Sequence, residues 1–325
     1  MLSEIRPENV YLRLILGFAM KGIDRNGRVG LSSLVISNVL WGIMAPVSKF
    51  VLAAGVISSA VLTDMRIFVG TMLFWLASLF FRKEKIECRG DYFKLFLAAF
   101  FSTTLLQFCY VKGISLTSPV DAAICTSTLP IWTLLLSSIF MGEKINSRKI
   151  AGIATGLAGA VALVLSGENN NLNGANIAGS ILCLCSQISY AVYLVFFQDI
   201  IKKYSSVTLM KWKYLFSALM LLPFAFGHFS FMDFRAMDTA HWTGLAYILI
   251  FGNFIAYLLI PLAQKYLPPT NVAVYSYLQP ATAALVTLLW GLDSFNMLKV
   301  IAMAMIVISV FVLGTGKQTD VSVQK

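Results

Sequence analysis

The chain has 325 residues, 58% of them hydrophobic and 12% charged, against roughly 25% charged in a typical soluble domain, which leaves too little polar surface for a water-soluble globule. A net charge of +10 would suit a polyanion partner in a soluble protein. Here the basic residues sit between apolar runs, where they set membrane orientation, so nucleic acid is excluded as a partner.

The apolar residues fall in runs of about 17 to 22, the length at which a helix crosses a hydrocarbon core about 30 Å thick. Residues 1–31 are a polar, basic segment around Leu14–Met20, a run too short to span and without the small-residue cleavage site of a signal peptide. The segment reads as an interfacial helix, or as sequence upstream of a start at Met20. Residues 32–166 then hold spans near 32–53, 60–81, 92–111, 119–141 and 149–166. An outer linker, 167–175, leads to residues 176–315, with spans near 176–197, 208–227, 241–260, 271–291 and 297–314, and residues 316–325 form a tail. The expected fold is therefore an all-α membrane protein of ten transmembrane helices. The longest connection has about 13 residues, so function must lie within the bundle.

With the N-terminus in the cytoplasm, seventeen of the 25 Lys and Arg residues fall in inner segments, and only Lys112 and Arg235 in outer loops. The other six (Lys49, Arg66, Lys94, Lys211, Lys213, Lys299) lie inside or at the ends of spans. This asymmetry places both termini in the cytoplasm; the membrane itself is expected to be a bacterial inner (cell) membrane. Cys109, Cys125, Cys183 and Cys185 lie in apolar spans, where thiols act as small hydrophobes. Cys183 and Cys185 point to different helix faces, so no metal site is read there. No cofactor is expected, and no GxxxxGK[ST] phosphate loop is present.

A shift of 150 residues aligns spans three to five with eight to ten. Pro119 meets Pro269, Ala123 meets Ala273, Pro130 meets Pro280, Leu135 meets Leu285, Asn146 meets Asn296 and Lys149 meets Lys299. Glu143 and Asp293 each follow their proline by the same distance. A shift of 149 brings Asn38 onto Gln187 and Trp41 onto Tyr190. Each half thus holds five helices, and because five is odd the second half enters the membrane from the opposite face. That inverted repeat is an architecture of alternating-access transporters.

Pro46, Pro130 and Pro280 are the expected kinks. Pro130 and Pro280 remove the hydrogen bonds that would reach the carbonyls of Thr126 and Ser276, and paired interruptions in two halves point to a binding site near the midplane. A packing kink is the alternative. Polar and aromatic side chains gather around these positions: Asn38, Trp41, Gln107, Thr126, Ser127, Gln187, Tyr190, Asn253, Tyr257, Tyr275, Ser276 and Gln279 are the expected substrate contacts. Rings supply contact area while amides and hydroxyls orient a small molecule; some of these groups will instead bond neighbouring helices. Tyr110 and Tyr193, nearer span ends, read as part of the set or as interfacial anchors. Lys49 and Arg66 lie in the outer half, where they could attract an anionic group, snorkel, or pair with Asp64 and Asp121. No Asp, Glu or His occupies the central third of a span, so no carboxylate relay for protons is visible. Gly152, Gly156 and Gly159 form a face suited to close helix packing.

Three stretches resemble the EamA-type transporters of the drug/metabolite transporter superfamily: Leu40-Trp41-Gly42 with Pro46 and Lys49, Met141-Gly142-Glu143-Lys144-Ile145-Asn146, and Tyr277-Leu278-Gln279-Pro280. The similarity runs from about residue 32 to 315. It implies ten helices, cytoplasmic termini, and a central cavity lined by the first, third, fourth, sixth, eighth and ninth, often serving efflux of amino acids or other metabolites. The sequence departs from the family pattern where Leu292-Asp293 stands for Gly-Glu and Tyr190 for a tryptophan. The reading is a secondary-active permease acting as a monomer, exporting a small metabolite such as an amino acid or amphipathic drug-like compound. A channel or receptor is the alternative, ahead of an intramembrane enzyme, for which the sequence offers no constellation.

Overall fold

The computed structural model describes residues 25–53, 55, 57–81, 84–116, 125–165, 177–228, 237–291 and 297–314, and all regular structure among them is helical. Helix satisfies backbone N–H and C=O groups within its own segment, as hydrocarbon surroundings require. The helices are α1 (Arg25–Ala53), α2 (Ser59–Phe80), α3 (Arg89–Ala99), α4 (Leu106–Leu116), α5 (Leu129–Met141), α6 (Ser147–Leu165) and α7 (Ile177–Phe196). They continue with α8 (Gln198–Lys203), α9 (Ser206–His228), α10 (Thr239–Tyr247), α11 (Ala256–Gln264), α12 (Pro269–Val274), α13 (Leu278–Leu289) and α14 (Met297–Gly314). Two π-helical turns join the rods α3–α4 and α10–α11, at Phe100–Leu105 and Ile248–Ile255, and a 3₁₀ turn, Tyr275–Tyr277, joins α12 to α13.

Six helical runs among the described residues are long and apolar enough to cross a membrane: Asn26–Leu52, Ala60–Phe80, Arg89–Tyr110, Ile177–Phe196, Thr239–Gln264 and Pro269–Leu289. Leu129–Met141 and Met297–Val312 are apolar but shorter. Several sequence expectations fall outside the described residues: Pro119, Asp121, the 167–175 linker, Arg235, Asp293, Asn296, the tail, and most of the N-terminal segment with its Met20 start. The side chain of Lys49 does too, although its backbone belongs to α1.

Local chemistry sets the helix ends. Ser58 caps α2 by accepting from the Val61 amide at 3.3 Å, and Asp238 caps α10 through the His241 amide at 2.8 Å, each satisfying an amide with no intrahelical partner. Asn146 does the same at the start of α6, accepting from the Lys149 amide at 2.8 Å. Gly142 ends α5 with φ 66°, and Gly291 takes the same φ just after α13; a left-handed residue there is cheap only for glycine. Gly291 thus supplies the closing glycine that the gapless 150-residue alignment places at Leu292, and the two halves slip by one residue at this turn.

Pro130 does not kink a continuous 119–141 helix. A turn at Ser127–Thr128 precedes it, and it occupies the first turn of α5, where a missing N–H costs nothing. Pro280 follows the 3₁₀ turn and lies in the first turn of α13. Pro46 lies within α1, and Pro223 and Pro261 lie within α9 and α11.

Packing pairs α6 with α14, α4 with α7, α2 with α9 and α1 with both α11 and α13, while α5 lies against α7 and α12. Small residues permit the closest of these approaches. A Cβ on Gly156 would stand 2.4 Å from the Tyr277 ring, and one on Gly159 would stand 2.9 Å from the Ala302 carbonyl. The Ser309 hydroxyl donates to the Gly152 carbonyl at 2.6 Å across the same seam. At one end of the bundle α8 touches both α3 and α11, and charged groups cluster: Lys203 reaches Asp91 at 2.8 Å and Glu87 at 2.9 Å, and Lys94 pairs with Asp199. The hydrogen bonds that Lys203 donates to Asp91, then to Glu87, raise its pKa.

A candidate solute-binding cavity

A cavity of about 850 Å³ lies inside the bundle, within the roughly 300–1,000 Å³ typical of small-molecule sites. Helix α1 lines it with Trp41, Met44, Ala45, Ser48 and Leu52, and α2 with Leu62, Thr63 and Arg66. Leu106, Gln107 and Tyr110 come from α4, Thr126, Ser127 and Leu129 from the start of the α5 region, and Gln187 and Tyr190 from α7. Tyr257 of α11 and Ser276, Tyr277, Gln279, Pro280 and Ala283 around the 3₁₀ turn complete the wall. The wall is therefore aromatic, with amides and hydroxyls at intervals and a single guanidinium.

Its polar groups are held from behind. Asn38 is buried and donates to the Leu34 carbonyl at 2.8 Å, so its oxygen points to Gln279, whose amide donates to it at 2.8 Å. That bond joins α1 to α13, and Gly42 lets the two helices meet, since a Cβ there would lie 2.5 Å from Thr282. The turn before α5 is tied by its own side chains: Thr128 donates to the Cys125 carbonyl at 2.6 Å and accepts from the Trp132 indole at 3.1 Å. Ser276 donates to the Ala273 carbonyl at 2.6 Å, and Gln187 to the Ser186 hydroxyl at 3.0 Å.

The π-helical turns explain how Trp41 is fixed. An extra residue in a helical turn leaves a carbonyl without its usual amide, which must be satisfied elsewhere. The Trp41 indole donates to the Gly252 carbonyl in one π turn at 2.9 Å, and the Ser189 hydroxyl donates to the Phe101 carbonyl in the other at 2.6 Å. Trp41 then meets the Tyr257 ring edge-on at 5.0 Å, and Tyr257 meets Tyr214 at 5.9 Å. Tyr190, aligned with Trp41 in the repeat, has no such duty because Ser189 beside it takes the carbonyl; its ring stacks on Tyr193 at 5.9 Å.

Of the expected contacts, Trp41, Arg66, Gln107, Thr126, Ser127, Gln187, Tyr190, Tyr257, Ser276 and Gln279 come together on the wall, with Pro280 beside them. Asn38, Asn253 and Tyr275 do not line it. Asn38 orients Gln279, and Asn253 accepts from the Tyr214 hydroxyl at 2.9 Å while donating to the Arg66 carbonyl at 2.6 Å. Tyr275 is buried away from the lining. The wall also holds Met44, Ser48 and Thr63, whose types carry no signal in an apolar run, and Tyr110, whose position suits an interfacial anchor equally well.

Lys213 has no counterpart among the expected contacts. It is 1% exposed, with its Nζ 4.7 Å from the centre of the Tyr193 ring and 5.6 Å from that of Tyr257. Lysine near a span end reads as a snorkelling side chain. Here the amine turns inward against two ring faces.

The family model of the EamA-like transporter family matches the sequence twice, over residues 28–165 and 177–315. An uncharacterized transporter of Bacillus subtilis (strain 168), YetK, is 23% identical over 69% of this chain and 68% of its own length. An uncharacterized transporter of Archaeoglobus fulgidus is 27% identical over 65% of this chain and 72% of its own length. The uncharacterized inner membrane transporter YicL of Salmonella typhimurium is 21% identical over 81% of this chain and 87% of its own. One crystal structure, described only as that of a protein, shares the fold with a TM-score of 0.71 at 19% identity, over 89% of this chain and 96% of that one.

Proposed function

The chain belongs to the EamA-like transporter family, and from that premise we propose that it is a secondary-active permease of ten membrane crossings, built as two inverted five-helix halves. The cavity is its solute site, and rocking of one half against the other exposes that site to each side in turn. The single observation that carries this reading is a cavity of small-molecule size walled by both halves, with Trp41 and Gln107 from the first and Tyr190, Tyr257 and Gln279 from the second. The paired π turns, each surrendering a carbonyl to a side chain at the middle of the other half's first helix, and the twofold family match support the repeat.

The solute is a small metabolite with an apolar body and a few polar groups, of the size of an amino acid or an amphipathic drug-like compound, moved outward across the cell membrane by a monomer with both termini in the cytoplasm. The charged groups at the α2–α3 and α7–α9 turns suit the cytoplasmic face, in keeping with the basic bias of those segments. A thermal-shift screen of the purified chain against amino acids, nucleosides, sugar phosphates and cationic drugs tests the site, because a ligand of the folded state raises its stability by mass action. A hit should lose affinity in Gln279→Ala with no loss of folded protein. Failure of every hit to cross vesicles containing the protein would overturn the assignment.

A further inference from the structure

Arg66 is the one charged side chain on the cavity wall among the described residues, and no Asp or Glu lines that wall. Its Nε is buried without a hydrogen-bond partner. Its backbone is held in place, since Asn253 donates to the Arg66 carbonyl at 2.6 Å and itself accepts from Tyr214. Asp64, two residues away, is buried but outside the lining. Behind the aromatic wall the buried Lys213 amine lies against the rings of Tyr193 and Tyr257. One guanidinium on the wall of a low-dielectric cavity that no acid lines favours an anion and disfavours a cation. The planar guanidinium matches a carboxylate through two parallel hydrogen bonds, whereas a dianionic phosphate would call for a second cation on the wall.

We propose that the cavity selects organic acids, with Arg66 clasping the carboxylate and the apolar body lying against Trp41, Tyr190 and Tyr257. Arg66 is then the specificity-determining residue. The inference rests on the reading of the cavity as the solute site and narrows its substrate class to monoanions carried on an apolar frame.

The test uses the full chain in lipid nanodiscs, phenylglyoxal as a guanidinium reagent, and three matched pairs: benzoate, 3-phenylpropanoate and indole-3-acetate, each with its primary amide. Arg66 modification is followed by peptide mass spectrometry, with exposed Arg89 as the control. Expected is protection of Arg66 by at least one acid at a concentration roughly 10-fold to 100-fold below that of its amide, the range for a hydrogen bond to a charged group, with Arg89 unaffected. Arg66→Gln should stay folded and bind acid and amide alike by thermal shift, and Arg66→Lys should restore part of the preference. Failure of phenylglyoxal to reach Arg66, equal protection by acid and amide, or no protection by any acid would each overturn the proposal. Counterflow of a neutral solute with no acid protection would sink it and leave transport standing; acid protection without flux of any solute would do the reverse.

Discussion

Removing one hydroxyl should loosen one end of the cavity. Glu143, just after α5, accepts from Lys149 at 2.9 Å and from the Thr270 hydroxyl, at the start of α12, at 2.6 Å. Thr270 is 1% exposed and the Glu143 side chain 9%, so this carboxylate ties the first half to the second away from water. Thr270→Val keeps the shape and removes the donor. A hydrogen bond to a charged acceptor contributes about 1.5–3 kcal/mol net, and each 1.4 kcal/mol is about tenfold in an equilibrium. If the bond exists only while that end is closed, the open form should therefore rise about 10-fold to 100-fold. The assay is labelling of Ala273→Cys, a fully buried position on α12, by an impermeant maleimide in inside-out vesicles, with the five native cysteines replaced. Its rate should rise by the same factor in the Thr270→Val background. An unchanged rate alongside a lowered melting temperature would show that the bond only stabilises the fold.

Three further outcomes are expected. Asn38→Leu strips Gln279 of its partner across α1 and α13 and should weaken solute binding about fivefold, from a net hydrogen bond of about 1 kcal/mol, as read by isothermal titration on folded protein. Ser48→Trp should fill the cavity and abolish binding while circular dichroism melting is retained, because Ser48 lines open space; unaltered affinity would remove this wall from the site. Gly156→Leu drives a side chain into the Tyr277 ring, 2.4 Å from the new Cβ, and should destabilise by about 1–3 kcal/mol or more through overpacking. Equal thermal stability would contradict that contact.

Much of the site was legible because a polar or aromatic residue in an apolar run must face protein, cavity or lipid, and lipid is the costly choice. On that ground Trp41, Gln107, Gln187 and Gln279 stand out as inward-facing. Residue type alone does not separate solute contacts from supports: Asn38 and Asn253 have the same signature, yet both are consumed in orienting neighbours. The π turns were invisible because hydrogen-bond register leaves no mark in residue type, although they decide where the Trp41 indole goes. Pro130 was legible as an interruption but not as a helix start. Gly291 was hidden by a one-residue slip within the 150-residue register of the later spans, and Lys213 by the habit of lysines to reach for water.

Alternating access requires that one solute site be exposed to each side of the membrane in turn. Vesicles carrying the protein would be loaded with the solute that stabilises it in the thermal-shift screen, then diluted into a trace of the same solute carrying a radiolabel. The account predicts a transient overshoot, with label accumulating inside above its equilibrium level because each outward turn of the carrier returns with label. Label that equilibrates monotonically, at a rate indifferent to the solute inside, would mark a continuous pore and contradict it.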